Sequence, residues 1–180
     1  MTRGVPCMQH ALQCYPLMER ALRVSSGFWE MIDARRDPSV IQQLHPVSCG
    51  PACGAMLLRS QGIVVAQSAV ALAQGSVLTH DTARLAEAMN MLAGAQGWLG
   101  AFIDVFTHPR QTFTALMAHG PFATTLYAFG MPVSHMVVVD GLNSTGRMVI
   151  RDPAHGTRYL MLWEEFTRVW EGQTVWRVMQ

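Results

Sequence analysis

The chain has 180 residues, half of them apolar and 14% charged, with a formal net charge of +1. That balance excludes a disordered chain, and the lack of a basic cluster argues against a nucleic-acid partner. No run reaches the ~18 apolar residues of a membrane-spanning helix, so no membrane partner is expected. Met1–Cys7 is not followed by the apolar core of a signal peptide. The expected location is cytoplasmic, or secreted without a cleavable signal peptide. All 13 basic residues are arginine. A GC-rich coding bias explains this, and so does a protein that must avoid lysine-directed modification in a foreign cytosol.

Along the chain, residues 1–14 show no periodicity. Leu17, Ala21, Leu22, Val24, Phe28, Met31 and Ile32 recur at helical spacing, which predicts a helix from Pro16 to Arg36 with a break near Ser25-Ser26-Gly27. Asp37-Pro38-Ser39 is a turn, and 40–44 reads as a short extended run. A helix starts at Cys49, with Ser48 as its cap and Pro51 in its first turn, and stops at Gly62. Further helices are expected at about 66–74, at 80–93 capped by Asp81 or Thr79, and from Pro109 to Met117. The stretch 94–107 has no clear assignment. After Gly120-Pro121 the pattern turns to strands: 122–129, 135–141, 147–153 and 157–162. A short helix at 163–170 and a strand at 173–178 follow. Helices first and antiparallel strands second make an α+β layout.

The four cysteines are Cys7, Cys14, Cys49 and Cys53. Their spacing does not match the usual zinc patterns, so no metal or other cofactor is expected. Cys49 stands at a helix start, where the positive end of the helix favours a thiolate. Gly50, Ala52 and Gly54 are small enough to let a substrate backbone approach. A thiol nucleophile needs a base and a group that orients it. His135 opens an apolar strand and Asp152 closes the next. Pairing Leu142 with Arg147 across the turn places Asp152 diagonally opposite His135 on the same face. Asp140, five residues from His135, falls on the other face. Gln43, rather than its neighbour Gln42, supplies a donor for an oxyanion, together with the Cys49 N–H. The remaining histidines flank turns or helix ends, apart from His10 in the arm and His155 at a rim.

Gln43, the run Cys49-Gly50-Pro51-Ala52-Cys53, His135 before a valine run, and Asp152-Pro153-Ala154-His155-Gly156 together resemble the bacteriocin-processing double-glycine peptidases, which are papain-like cysteine peptidases. Trp163 to Gly172 is similar to that family's closing segment. The resemblance covers about residues 40–178. It implies a papain-like fold, with a helical lobe packed against an antiparallel sheet lobe. It also implies Cys49 as nucleophile, His135 as base, Asp152 as orienter and Gln43 as oxyanion donor. The chain departs from the family at Ser48, where Asp is usual, and in residues 1–38, which have no counterpart. The expected organisation is a helical extension over 1–38 and a papain-like domain over 39–180. The expected activity is peptide-bond hydrolysis. The alternatives are an effector or toxin that uses the same triad for cleavage, deamidation or acyl transfer, and a non-catalytic binding module. Expected partners are a peptide or protein substrate and a cognate inhibitor or immunity protein.

Overall fold

The structure is a computed structural model that describes residues 29–75, 81–95 and 97–178. The helix expected from Pro16 lies outside these residues up to position 28, as do Cys7, Cys14, His10, Thr79 and His80. The last part of that expected helix is corrected. Ile32–Arg36 is a strand, β1. Its residues are mostly exposed and carry no alternating pattern, so only its partner strand makes it extended.

The elements that follow are α1 (Cys49–Ser60), α2 (Gln67–Gln74), α3 (Thr82–Ala93), β2 (Trp98–Phe102), α4 (Pro109–Met117), β3 (Phe122–Leu126), β4 (His135–Leu142), β5 (Met148–Asp152), β6 (Thr157–Met161), α5 (Trp163–Val169) and β7 (Trp170–Arg177). The strands form one sheet in the order β1-β6-β5-β4-β3-β7-β2. Every pairing is antiparallel. This is the expected α+β, papain-like architecture. The 40–44 run makes no strand.

Alternate residues of β4 feed two separate cores. Met136 and Val138 pack with Cys53, Met56 and Leu57 of α1, Val70 of α2 and Leu85 of α3. Val137 and Val139 pack on the opposite face with Phe113 of α4, Phe166 of α5, Trp170 and Trp29. The side chains from Cys49 to Leu58 are all buried, which marks α1 as the central helix. Gly54 serves this packing. A Cβ there would lie 3.0 Å from Leu85 and 3.1 Å from Val70, so its smallness admits α2 and α3 rather than a substrate.

Asp81 caps α3 through the Arg84 N–H at 2.9 Å. The buried Asn90 amide ties α3 to β2, donating to the Trp98 carbonyl at 3.0 Å and accepting the Trp98 N–H at 2.9 Å. Strand β2 fills part of the stretch left unassigned in the sequence. Its Gly100 lies under the first turn of α3, where a Cβ would be 1.9 Å from the Thr82 carbonyl oxygen.

Candidate active site

The start of α1 meets the start of β4 through one residue, Met136. Its N–H donates to Cys49 Sγ at 3.4 Å. Its carbonyl accepts from Cys53 Sγ, also at 3.4 Å. Two sulfurs one helical turn apart therefore hold the backbone beside His135. Both cysteines are free thiols. Burial, aided by the nearby Cys49 and Asp152, pushes the Cys53 thiol well above its ordinary range, so Cys53 stays a neutral donor.

Ser48 does not cap α1 with its side chain. Its hydroxyl turns back to His45 instead, accepting the His45 N–H and donating to the His45 carbonyl, both at 2.9 Å. This small ring fixes the turn that delivers Cys49.

His135 Nε2 lies 2.7 Å from Asp152 Oδ1. The side chains are 2% and 4% exposed, so the pair is dry. His135 Nδ1 is the other ring nitrogen and is buried, and Cys49 is the second group that bears on the imidazole. Burial alone pushes the imidazolium down. The Asp152 charge and hydrogen bond, with smaller contributions from Cys49, outweigh burial and push His135 up to about 10. Asp152 is raised by burial but ends below its ordinary range, because His135 and the Ala154 N–H at 2.8 Å favour its charged form.

The pairing of Asp152 with His135 was expected from strand parity, but the count began from a wrong pair. Leu142 faces Met148, not Arg147. A bulge between Val139 and Gly141 takes up the one-residue slip, so that Val138 faces Arg151. Asp140 lies at this bulge on the other face. It pairs there with Arg151 at 2.7 Å and Arg158 at 2.8 Å.

Gln43 sits on the loop entering α1. Its N–H donates to the Pro153 carbonyl at 2.8 Å, which fastens this loop to the one following Asp152. Its Nε2 donates to the His45 carbonyl at 2.9 Å. Gln67 of α2 holds the same loop by donating to the Gln42 carbonyl at 2.7 Å and accepting the Leu44 N–H at 3.1 Å. Beside it opens an apolar recess of about 290 Å³, lined by Leu44, Val47, Pro51, Gln67 and Ala71 among others.

Sequence reasoning missed Gln67, the Cys53 contact, and two aromatic residues near the pair, Trp29 and Tyr159. None has a sequence signal of its own, because each acts through a partner distant in the chain.

The fold and the meeting of thiol and imidazole define a class, the papain-like cysteine peptidases. The chain belongs to the Peptidase_C39 like family, whose model matches residues 36–175. It is 35% identical over 153 residues to Cysteine protease effector 1 of Escherichia coli O1:K1:H7, a match covering 85% of this chain and 29% of that protein. The chain thus spans less than a third of that relative. Two solved structures share the fold at 20% identity. One is the peptidase domain of Streptococcus ComA, a bi-functional ABC transporter involved in a quorum sensing pathway, with a TM-score of 0.61 over 78% of this chain and 97% of that one. The other is a double glycine motif protease from an AMS/PCAT transporter in complex with the leader peptide, with a TM-score of 0.55 over 83% and 98%.

Proposed function

We propose that the chain hydrolyses peptide bonds with Cys49 as nucleophile, His135 as general base and acid, and Asp152 as the carboxylate that orients His135. The observation that carries this reading is the dry His135–Asp152 pair at 2.7 Å, with the Cys49 thiol at a helix start also acting on the imidazole. The raised His135 holds its proton at neutral pH, and in the proposed reaction Cys49 attacks as the thiolate.

The thiolate attacks the amide carbonyl carbon, and the carbonyl electron pair moves onto oxygen. The Cys49 N–H at the start of α1 and the second amide hydrogen of Gln43 are donors for that oxyanion. The intermediate collapses, the C–N bond breaks, and the amine leaves with the proton from His135 Nδ1. The acyl group remains as a thioester on Cys49. Water then attacks the thioester and gives a proton to His135, the C–S bond breaks, and the acid leaves with the Cys49 thiolate and the imidazolium restored. The apolar recess beside the Gln43 loop suits an apolar side chain of a peptide.

The test is mass spectrometry of peptide mixtures with wild-type protein and Cys49→Ala. Cleavage yields two fragments, while deamidation of glutamine adds about one dalton through the same thiol chemistry. Activity that survives Cys49→Ala would overturn the assignment.

The identity to a cysteine protease effector supports one narrower reading, that this peptidase works inside a cell other than the one that makes it. The lysine-free composition fits that role. Expression of wild type and Cys49→Ala inside target cells tests it. Toxicity or cleavage of host proteins only with the wild type supports the role, and equal effects of the two would remove it.

A further inference from the structure

We propose that Trp29 and Tyr159 are positioning residues of the site, the Trp29 indole roofing the His135 imidazole and fixing the Tyr159 hydroxyl so that its proton serves Asp152. The inference rests on the roles given to Cys49, His135 and Asp152 above.

Trp29 lies before the residues that the family model matches. It is nonetheless 2% exposed and packs in the core under β4. Its ring lies parallel to that of His135, with an interplanar angle of 11° and centroids 6.5 Å apart. Its Nε1 donates to the Tyr159 hydroxyl at 3.2 Å. Tyr159 is itself 1% exposed. It faces Ile150 on β5 while Thr157 faces Asp152, so Tyr159 and Asp152 lie diagonally on one face of the sheet.

The Tyr159 oxygen accepts from the indole with one lone pair and has its own proton to give. Burial first, and then the Asp152 charge, push Tyr159 well above its ordinary range, which keeps that proton in place. The His135 and Ala154 bonds both fall on Asp152 Oδ1. That leaves Oδ2 as the acceptor for the hydroxyl. Asp152 from β5 and Cys49 from α1 act on the imidazole, and Cys53 from α1, Tyr159 from β6 and His155 lie around Asp152, with Arg151 of β5 acting on Cys53. In this dry setting the charge and hydrogen bond of Asp152, together with Cys49, outweigh the burial of His135. Water admitted by loss of the indole would weaken that attraction.

The test needs no substrate. Iodoacetate is an anion, so its reaction with Cys49 falls when His135 loses its positive charge. The decline of the rate with rising pH, read by mass spectrometry, therefore reports His135. In Trp29→Ala the midpoint of that decline should move toward acid by about one pH unit or more. Trp29→Phe keeps a roof and should restore at least half of the shift. Tyr159→Phe keeps the volume and loses the proton, and its rate at neutral pH should fall by about threefold or more with an unchanged circular dichroism spectrum. If Trp29→Ala does not fold, Tyr159→Phe decides. A wild-type rate in Tyr159→Phe, or a wild-type midpoint in a folded Trp29→Ala, would overturn the proposal. A His135→Ala protein whose Cys49 reacts like wild type at every pH would instead overturn the underlying assignment of His135, whatever the aromatic variants do.

Discussion

Arg151 and Asp152 are neighbours on β5 and point to opposite faces of the sheet, and each anchors a group of charges. On one face Arg151 and Arg158 share Asp140, Arg158 also binds Asp37 at 2.6 Å, and hydroxyls of Ser39 and Ser60 complete the network. Exposure there runs from 8% to 28%. On the other face Asp152 pairs with His135, at 2% and 4% exposure. The first group is redundant and partly wet, so it holds β1, β4, β5 and β6 together and tolerates losses. The second is dry, so the charge and hydrogen bond of Asp152 weigh heavily in raising the imidazole.

The sharpest way to break this contrast is to remove one member from each side. His135→Ala should cost about 10²-fold or more in peptide cleavage, the scale of a lost general acid–base. Arg158→Met should leave cleavage within about threefold while lowering unfolding free energy by about 1–2 kcal/mol in urea titrations. Equal effects of the two on activity would erase the distinction.

Next in size is truncation at residue 39, the boundary read from sequence. It removes β1, Asp37 and Trp29, and with them a side of each charge group. The shortened chain should melt about 10 °C or more below the intact one, because several kcal/mol of pairing and burial are lost. A cooperative melt at the original temperature would show that β1 is dispensable.

Titration separates the two faces by sign. His135 is raised, so its stabilising contribution is complete below the ordinary histidine value of about 6.5 and fades as pH rises toward about 10. Asp152 and Asp37 are lowered, Asp37 mainly by Ser39 and then by Arg158. Their contributions are present above the ordinary aspartate range and vanish as pH falls below it. Asp152→Asn should therefore flatten the alkaline slope of stability against pH and leave much of the acid slope, as chemical denaturation at each pH would report.

The smallest effect is expected at Gly54→Ala, well away from both charge groups. The added methyl must displace Leu85 and Val70, at a cost of about 1 kcal/mol, partly offset by alanine's helix preference. A stabilised variant would mean that α1 has more room than its contacts indicate.

Most helices were legible because capping and apolar spacing are local: Asp81 caps α3, and Pro109 opens α4. Strands β4 to β6 were legible from their apolar runs and turn residues. Strand β1 was not, since a charged edge strand is extended only through its ladder with β6. Strand β2 was hidden by Gly100, whose role appears only when α3 lies across it. The residues of the candidate site could be named from order and spacing, and the structure brings Cys49, His135 and Asp152 together. What holds them was not readable. Trp29, Gln67 and Cys53 each act across a large separation in the chain, with no local pattern to mark them.

The bulge at Asp140 carries a consequence for how this hairpin can change in length over generations. Beyond Leu142 the turn is closed by its own bonds, the Asn143 N–H meeting the Arg147 carbonyl at 2.9 Å, so insertions and deletions at the tip leave the far end of the ladder undisturbed. Between His135 and Gly141 the situation is reversed. A single deletion there would erase the offset and leave the tip and the site demanding opposite phases of the same strand. One end must then turn over. If the tip wins, the imidazole is carried through the sheet to the side of Arg151, away from Asp152. Length variation among descendants of this sequence is therefore expected to collect in residues 143–147, and a frame of fixed length is expected from His135 to the bulge.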